Sequence, residues 1–165
     1  MLTPTQGGDT ATRIYEMEVY GGGNGGGTNV ALNKPATGSP PYAPSEGPEK
    51  AVNGSVSGGN SDKWCSAEAG TKVLTVDLGS TMPITSFTVR HAEAGGEGSD
   101  LNTRDFDILV SDNGTSFTPV IQVRGNTAAV TNHATATSGR FVQLAVTNGE
   151  QNGGTARIYE LEVFA

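Results

Sequence analysis

The chain carries a single cysteine, Cys65, among 165 residues. An intrachain disulfide is excluded, so stability has to come from packing or from a bound metal. Beside Trp64, the lone thiol reads as a small buried hydrophobe. Aromatic residues are scarce at 6%, and apolar residues reach only 35%, partly because 24 positions are glycine. Such a chain builds a thin core from Val, Ile, Leu and a few Phe. Basic residues are outnumbered, 10 Lys and Arg against 17 Asp and Glu, for a net charge of −7. A phosphate backbone or an anionic membrane would be repelled, so neither nucleic acid nor membrane is expected as a partner. The acidic surface serves solubility, with cation binding as the other use. No apolar run has membrane length, and no signal peptide is legible.

Recognisable catalytic patterns are missing as well. No nucleophile elbow accompanies a Ser-His-Asp set, and no glycine-rich phosphate cradle follows a strand. A glycosidase needs two carboxylates facing across a cleft. Glu93, Glu97 and Asp100 instead share one loop, so no enzyme activity is expected. His133, in a Thr/Ala-rich strand, reads as a surface residue.

What the chain does have is alternation. Leu74, Val76 and Leu78 share one face of a run from Lys72 to Leu78, and Phe106, Ile108 and Val110 alternate with polar residues from Asp105 to Ser111. Period two marks strands with one buried face. Further strands are expected at Val30–Leu32, Ile84–His91, Phe117–Val123, Ala128–Thr135, Arg140–Val146 and Arg157–Phe164. Residues 38–49 hold four prolines and read as an irregular surface loop. No segment has a helical period. Many short strands between Gly and Pro turns indicate an all-β antiparallel sandwich or barrel.

The chain also repeats itself. Thr12–Tyr20, TRIYEMEVY, matches Ala156–Phe164, ARIYELEVF. The spacing is about one small domain, the mark of a tandem array. Residues 1–20 therefore read as the last strand of a preceding copy. Residues 21–28 read as a Gly-rich linker, and 29–165 as the complete module. An orphan strand cannot cover its own apolar face. Three fates are open to it: fraying, addition to a sheet edge, or exchange into a neighbouring molecule through residues 12–20.

The stretch from Val89 to Ser111 concentrates polar side chains on a glycine-rich loop between two strands. Planar donors and acceptors such as Arg, Asn, His and carboxylates suit vicinal hydroxyls, and an aromatic face suits the apolar side of a sugar ring. His91 ends one strand, and Glu97 lies on the loop. Asn102 and Arg104 open the next strand two residues apart, hence on one face. These four form the candidate ligand cleft. The bland alternatives are a strand-end histidine, a turn-forming Asn102 and an Arg104 paired with Glu93 or Asp105. Tyr42, on the proline-rich loop, is the candidate stacking residue.

The order of short motifs resembles discoidin domains, also called factor V/VIII type C domains, a group that includes carbohydrate-binding module family 32. The resemblance rests on Asn29–Thr37 (NVALNKPAT), Lys50–Gly54 (KAVNG), Lys63–Ser66 (KWCS), Leu74–Gly79 (LTVDLG), Asn102–Phe106 (NTRDF) and Ile158–Val163 (IYELEV). It spans residues 29–165, and the 90–111 loop looks like modules appended to secreted actinobacterial glycoside hydrolases. It implies an eight-stranded antiparallel jelly-roll β-sandwich. It also implies a non-catalytic carbohydrate-binding module, carried by a secreted enzyme that acts on glycans. Animal relatives bind phospholipid, collagen or other proteins through hydrophobic or basic loop spikes, which this chain lacks. An adhesion module and a structural spacer remain the alternatives. A structural Ca2+ is implied too, held by backbone carbonyls of Lys50 and Ser55, the Asn53 amide oxygen, Ser61 and the Glu160 carboxylate. Such an ion takes six to eight oxygens. The family usually has Asp where this chain has Asn53, which removes one formal charge.

Overall fold

The computed structural model describes residues 27–165. The expected remnant strand over 1–20, its exchange through 12–20 and nearly all of the 21–28 linker lie outside the described residues.

Seven strands form among the described residues: β1 (Ala36–Gly38), β2 (Trp64–Ser66), β3 (Lys72–His91), β4 (Asp105–Ser111), β5 (Thr118–Val123), β6 (Val130–Asn148) and β7 (Ala156–Phe164). All pairings are antiparallel, in the order β2-β7-β3-β6-β4-β5, with β1 on the free side of β3. The fold is the expected antiparallel sandwich. Its strand count differs from the sequence reading for a physical reason. Lys72–Leu78 and Ile84–His91 are two halves of β3, and the runs around Ala128–Thr135 and Arg140–Val146 are two halves of β6. The β3–β6 ribbon changes layer where its register breaks, between Asp77 and Met82, a stretch that contains Gly79 at φ 95°, and again between Ile84 and Ser86. Left-handed backbone is open to glycine at little cost. One half of the ribbon therefore joins β1 and β4 in one layer, and the other half joins β7 in the second.

Val30–Leu32 is not a strand. Residues 30–33 form a turn, with Asn33 in the left-handed region at φ 56°. The Asn29 side-chain oxygen accepts the N–H groups of Ala31 and Val163, both at 3.1 Å. Asn tolerates that conformation and competes for backbone donors, which ends the extended run. A single bridge, Asn29 to Phe164, survives.

Between the layers lies one apolar cluster that includes Trp64, Leu74, Val76, Phe87, Phe106, Ile108, Leu144, Ile158 and Leu161, all fully buried. Each such side chain contributes about 1.5–3 kcal/mol when withdrawn from water. Trp64 is core, and its indole N–H reaches the Ser39 carbonyl at 3.3 Å. Cys65 is buried, and burial pushes its thiol up to about 11, so it is unreactive at neutral pH.

Candidate functional site

Four loops gather at the end of the sandwich where β3 stops and β4 and β7 begin. They are 92–104, 124–129, 149–155 and the proline-rich 39–47. The first holds two short 3-10 turns, Ala92–Gly95 and Ser99–Leu101. A Cβ on Gly95 would land within the Tyr159 ring, so only glycine lets the backbone lie flat on that ring.

Asn102 is the clamp of this end. It is fully buried. Its amide oxygen accepts the Glu93 N–H at 2.9 Å, and its NH2 donates to the Glu93 carboxylate at 3.0 Å and the Thr127 carbonyl at 3.1 Å. Gln151 adds a second stitch, donating to the carbonyls of Asn102 at 2.8 Å and Asn126 at 2.9 Å. Asn126 adds a third by donating to the Thr103 carbonyl at 2.8 Å. Arg104 sits among these bonds with its backbone held on both sides. Its N–H reaches Gly149 at 2.7 Å, and its carbonyl accepts from Asn126 at 2.8 Å. Its guanidinium is exposed and has no hydrogen bond or ion pair among the described residues.

Only part of the expected cleft exists. Asn102 and Arg104 do not share a face, because the strand starts at Asp105 and period two does not extend back to the cap of a 3-10 turn. His91 is fully buried and unavailable to a ligand. Its Nε2 lies 3.2 Å from the Thr131 hydroxyl, and its ring packs on Phe106 at a centroid distance of 5.3 Å. Burial, with a smaller push from His133, lowers its pKa to about 4. His133 is not a plain surface residue. It is half-buried, with its ring edge-on to Phe106 at 5.8 Å, and burial lowers its pKa.

Glu97 is likewise committed. Its carboxylate takes Lys63 Nζ at 2.8 Å and the Tyr159 hydroxyl at 3.0 Å on one oxygen, and Arg157 at 2.9 Å on the other. Arg157 also donates to Glu150 at 3.2 Å, and Lys63 to Asn60 at 3.0 Å. Burial and the Glu97 carboxylate both raise the Tyr159 phenol pKa. This network, including Glu46 at 3.4 Å from Lys63, escaped the sequence reading. Nothing in KWCS announces that its lysine is 1% exposed. A carboxylate fixed by three donors positions loops and does not act as a free acid.

Tyr42 is 74% exposed. Its loop is tied to β2 through the Tyr42 N–H on the Cys65 carbonyl at 2.8 Å and the Ser66 hydroxyl on Pro40 at 2.8 Å. Cys65 pairs across the strands with Arg157, which places the tyrosine at the rim of the Glu97 network. An exposed aromatic and an exposed guanidinium on clamped loops can offer a stacking surface and a forked donor.

The second candidate site lies between the 50–62 loop and β7. Glu160 is 1% exposed, and its Oε1 accepts the N–H groups of Gly54 at 2.8 Å and Ser55 at 3.3 Å. Its Oε2 is buried with no partner among the described residues, and burial pushes the carboxyl up to about 7. Asn53 Oδ1 accepts the Ser55 N–H at 2.8 Å, and its NH2 donates to Asp62 at 2.6 Å. Lys50 is half-buried on the Pro48–Val52 turn, and the exposed Ser61 hydroxyl donates to Gly58 at 3.3 Å. Asp62 was missed, although it is the one carboxylate of that loop; it is 7% exposed. Burial works against its ionisation, but hydrogen bonds from Ser55, Gly58 and Asn53 outweigh it and hold its pKa low. The orphaned buried carboxylate oxygen of Glu160 is a hard oxygen donor of the kind Ca2+ takes, although no three His, Cys, Asp or Glu side chains cluster here among the described residues.

The chain matches the F5/8 type C domain over residues 35–161. No curated protein matches it in sequence. Among solved structures, it is similar to the family 32 carbohydrate-binding module of Streptococcus pneumoniae EndoD, at 27% identity and a TM-score of 0.71, covering 83% of this chain and 99% of that one. It is similar in fold to chitosan-binding module 1 of a chitosanase/glucanase from Paenibacillus sp. IK-5, at 24% identity and a TM-score of 0.70, covering 84% and 99%. A fucose-binding module of Streptococcus pneumoniae is also similar in fold, at 20% identity and a TM-score of 0.68, covering 86% and 97%. The chain belongs to the F5/8 type C domain family, and it is similar to the family 32 carbohydrate-binding module of EndoD.

Proposed function

We propose that this chain is a non-catalytic carbohydrate-binding module whose loop end takes a sugar and holds an attached, secreted glycan-active enzyme at its polysaccharide. The observation that carries the reading is Arg104, an exposed guanidinium with no ion pair or hydrogen bond among the described residues, whose own backbone is hydrogen-bonded on both sides. Its donors can span two neighbouring hydroxyls, while Tyr42 covers the apolar face of the ring. Because the loops are already stitched together, little ordering entropy is lost on binding. The similar EndoD module, named for carbohydrate binding, supports the same use.

Gly27 packs on the backbone of Ala165, and Asn29 bridges Phe164, at the end of β7 remote from the loop cluster. Residues 27–29 and the end of β7 thus lie together, at the end of the sandwich opposite the loop cluster. Calcium belongs to this reading as a structural ion. Glu160 and Asn53 would hold it, with Ser61 and the carbonyls of Lys50 and Ser55. The ion would staple the 50–62 loop to β7.

The test is a glycan array followed by calorimetry on the full chain, with calcium and with chelator. Weak saturable binding is expected, on the order of micromolar to millimolar, since an open sugar site exchanges protein contacts for water contacts. Arg104→Ala should abolish it and Tyr42→Ala should weaken it. A chain that ignores every glycan would be a spacer or a protein-interaction module instead.

A further inference from the structure

A cleft on the outer face of the sandwich lies apart from the loop end. It measures about 280 Å3 and is lined by Pro35, Thr37, Thr75, Asp77, Gly114 and Phe141. Strand pairing assembles it. Thr37 sits opposite Thr75 across β1 and β3, and Asp77 opposite Phe141 across β3 and β6. Their chain neighbours Val76 and Val142 are fully buried, so alternation turns these side chains outward.

The cleft floor is an aromatic ring held in place. Gly114, at φ 73°, lies so close that a Cβ there would meet the Phe141 Cζ at 3.2 Å. The Arg140 guanidinium carbon is 4.9 Å from the ring centroid. Arg140 also makes a bidentate pair with Asp77, Nε to Oδ1 and Nη2 to Oδ2, both at 2.8 Å. The Gly79 N–H adds a bond to Oδ1 at 2.8 Å. The carboxylate is therefore fixed, its pKa held at about 2, chiefly by the Arg140 hydrogen bond.

Hydrogen-bonding capacity is left over. Asp77 Oδ2 accepts from Arg140 alone among the described residues and has a second lone pair. The Thr75 hydroxyl accepts from Gln143 at 3.0 Å and still has a proton to give. Thr37 spends no side-chain hydrogen bond among the described residues. The Arg140–Asp77 pair cancels its own charge, and Lys34 adds one positive charge close to Asp77. A flat apolar ring beside two hydroxyls and one oriented carboxylate matches a pyranose, with a C–H face on one side and hydroxyls at its edge. The volume is at the small end of ligand sites and admits one sugar unit.

We propose that the outer face of the β1–β3–β6 layer carries a second carbohydrate subsite, for a single neutral pyranose unit, built on Phe141, Asp77, Thr75 and Thr37. It is distinct from the loop end. Phe141 lies five residues along β6 from Val146 at that end, roughly 16 Å at the rise of an extended strand.

The experiment is an NMR titration of the 15N-labelled full chain with D-galactose, D-glucose and N-acetyl-D-glucosamine. At least one sugar should shift the amides of Thr37, Thr75, Asp77 and Gly114 saturably, with a Kd on the order of millimolar. Those shifts should persist in Arg104→Ala. They should weaken about tenfold or vanish in Phe141→Leu, which keeps apolar bulk but loses the flat face, and in Thr75→Val, which keeps shape but loses the hydroxyl. Should Phe141→Leu fail to fold, Thr75→Val carries the test. No saturable shift on this face with any of the three sugars overturns the proposal, as does a shift unchanged in these variants. Shifts confined to residues 92–104 and 124–129 would uphold the loop site and reject this one. Face shifts alone would do the reverse.

Discussion

Lys63 and Glu97 meet at 2.8 Å with the lysine 1% exposed, so the residue that leads from the 50–62 loop into β2 is locked to the loop that frames the candidate sugar site. Removing one member of a buried pair leaves the other charge stranded, at a cost of about 3–5 kcal/mol. Lys63 keeps Glu46 at 3.4 Å and Arg157 keeps Glu150 at 3.2 Å, so Glu97→Ala should lower unfolding free energy by less than that amount in urea titrations. Any loss of sugar affinity should follow the loss of stability. A variant with unchanged stability and lost binding would return Glu97 to the role of direct ligand.

Asn102 and Arg104 should separate positioning from contact. Arg104 is exposed, so Arg104→Ala should shift stability by no more than about 0.5 kcal/mol while removing loop-end binding. Asn102→Ala strands the Glu93 and Thr127 groups it satisfies and should cost about 1–3 kcal/mol. Thermal melts read beside calorimetry check both. Equal destabilisation by the two substitutions would contradict the structure.

His91 makes a prediction about acid. Its folded pKa of about 4 lies below the ordinary value of 6.5, so the unfolded chain takes up a proton first as pH falls. The stabilisation is fully present above about pH 6.5 and is lost progressively towards pH 4, about 3 kcal/mol in all. His133 adds to this in the same direction. Glu160 opposes it. Its folded pKa of about 7 is raised, so the metal-free folded state gains relative stability as pH falls through that value. The difference between wild type and His91→Leu, measured by denaturation from pH 8 to pH 4, isolates the histidine. A pH-independent difference would show that His91 does not titrate as its burial requires.

Calcium should act through Glu160. A cation beside the orphaned oxygen would keep the carboxylate ionised, so calcium should raise the melting temperature at pH 7 and chelator should reverse it. At a calcium concentration of a hundred times Kd, the gain is about 2.7 kcal/mol. Glu160→Gln should abolish the response, and Asn53→Asp should strengthen it by restoring a charge. A melting temperature indifferent to calcium in the wild type would remove the ion from the account.

The alternation of Leu74, Val76 and Leu78, and of Phe106, Ile108 and Val110, was enough to read the strands and the sandwich, because period two is a local property of the chain. The joining of strand halves into β3 and β6 was not legible. It depends on the register breaks of the β3–β6 ribbon, which both layers enforce together. Within the candidate site, Arg104 and Tyr42 were named from residue type and loop context, and both lie exposed at the loop end. His91, Glu97 and Asn102 were named by the same logic and lie in structural roles. A polar side chain near a glycine-rich loop looks identical in sequence whether it faces water or a neighbouring strand.

The amino-acid order by itself determined the fold class, the family motifs and the polar, acidic character of the loops, since these follow from local periodicity and composition. Only the tertiary structure decided which polar groups are spent. Glu97 is paired with residues 63 and 157, Asn102 is hydrogen-bonded to residues 93 and 127, and one oxygen of Glu160 accepts from the backbone of residues 54 and 55. Many of those partners are far apart in the chain. Hydrogen bonds are short and directional, so who satisfies whom is settled only when the layers close.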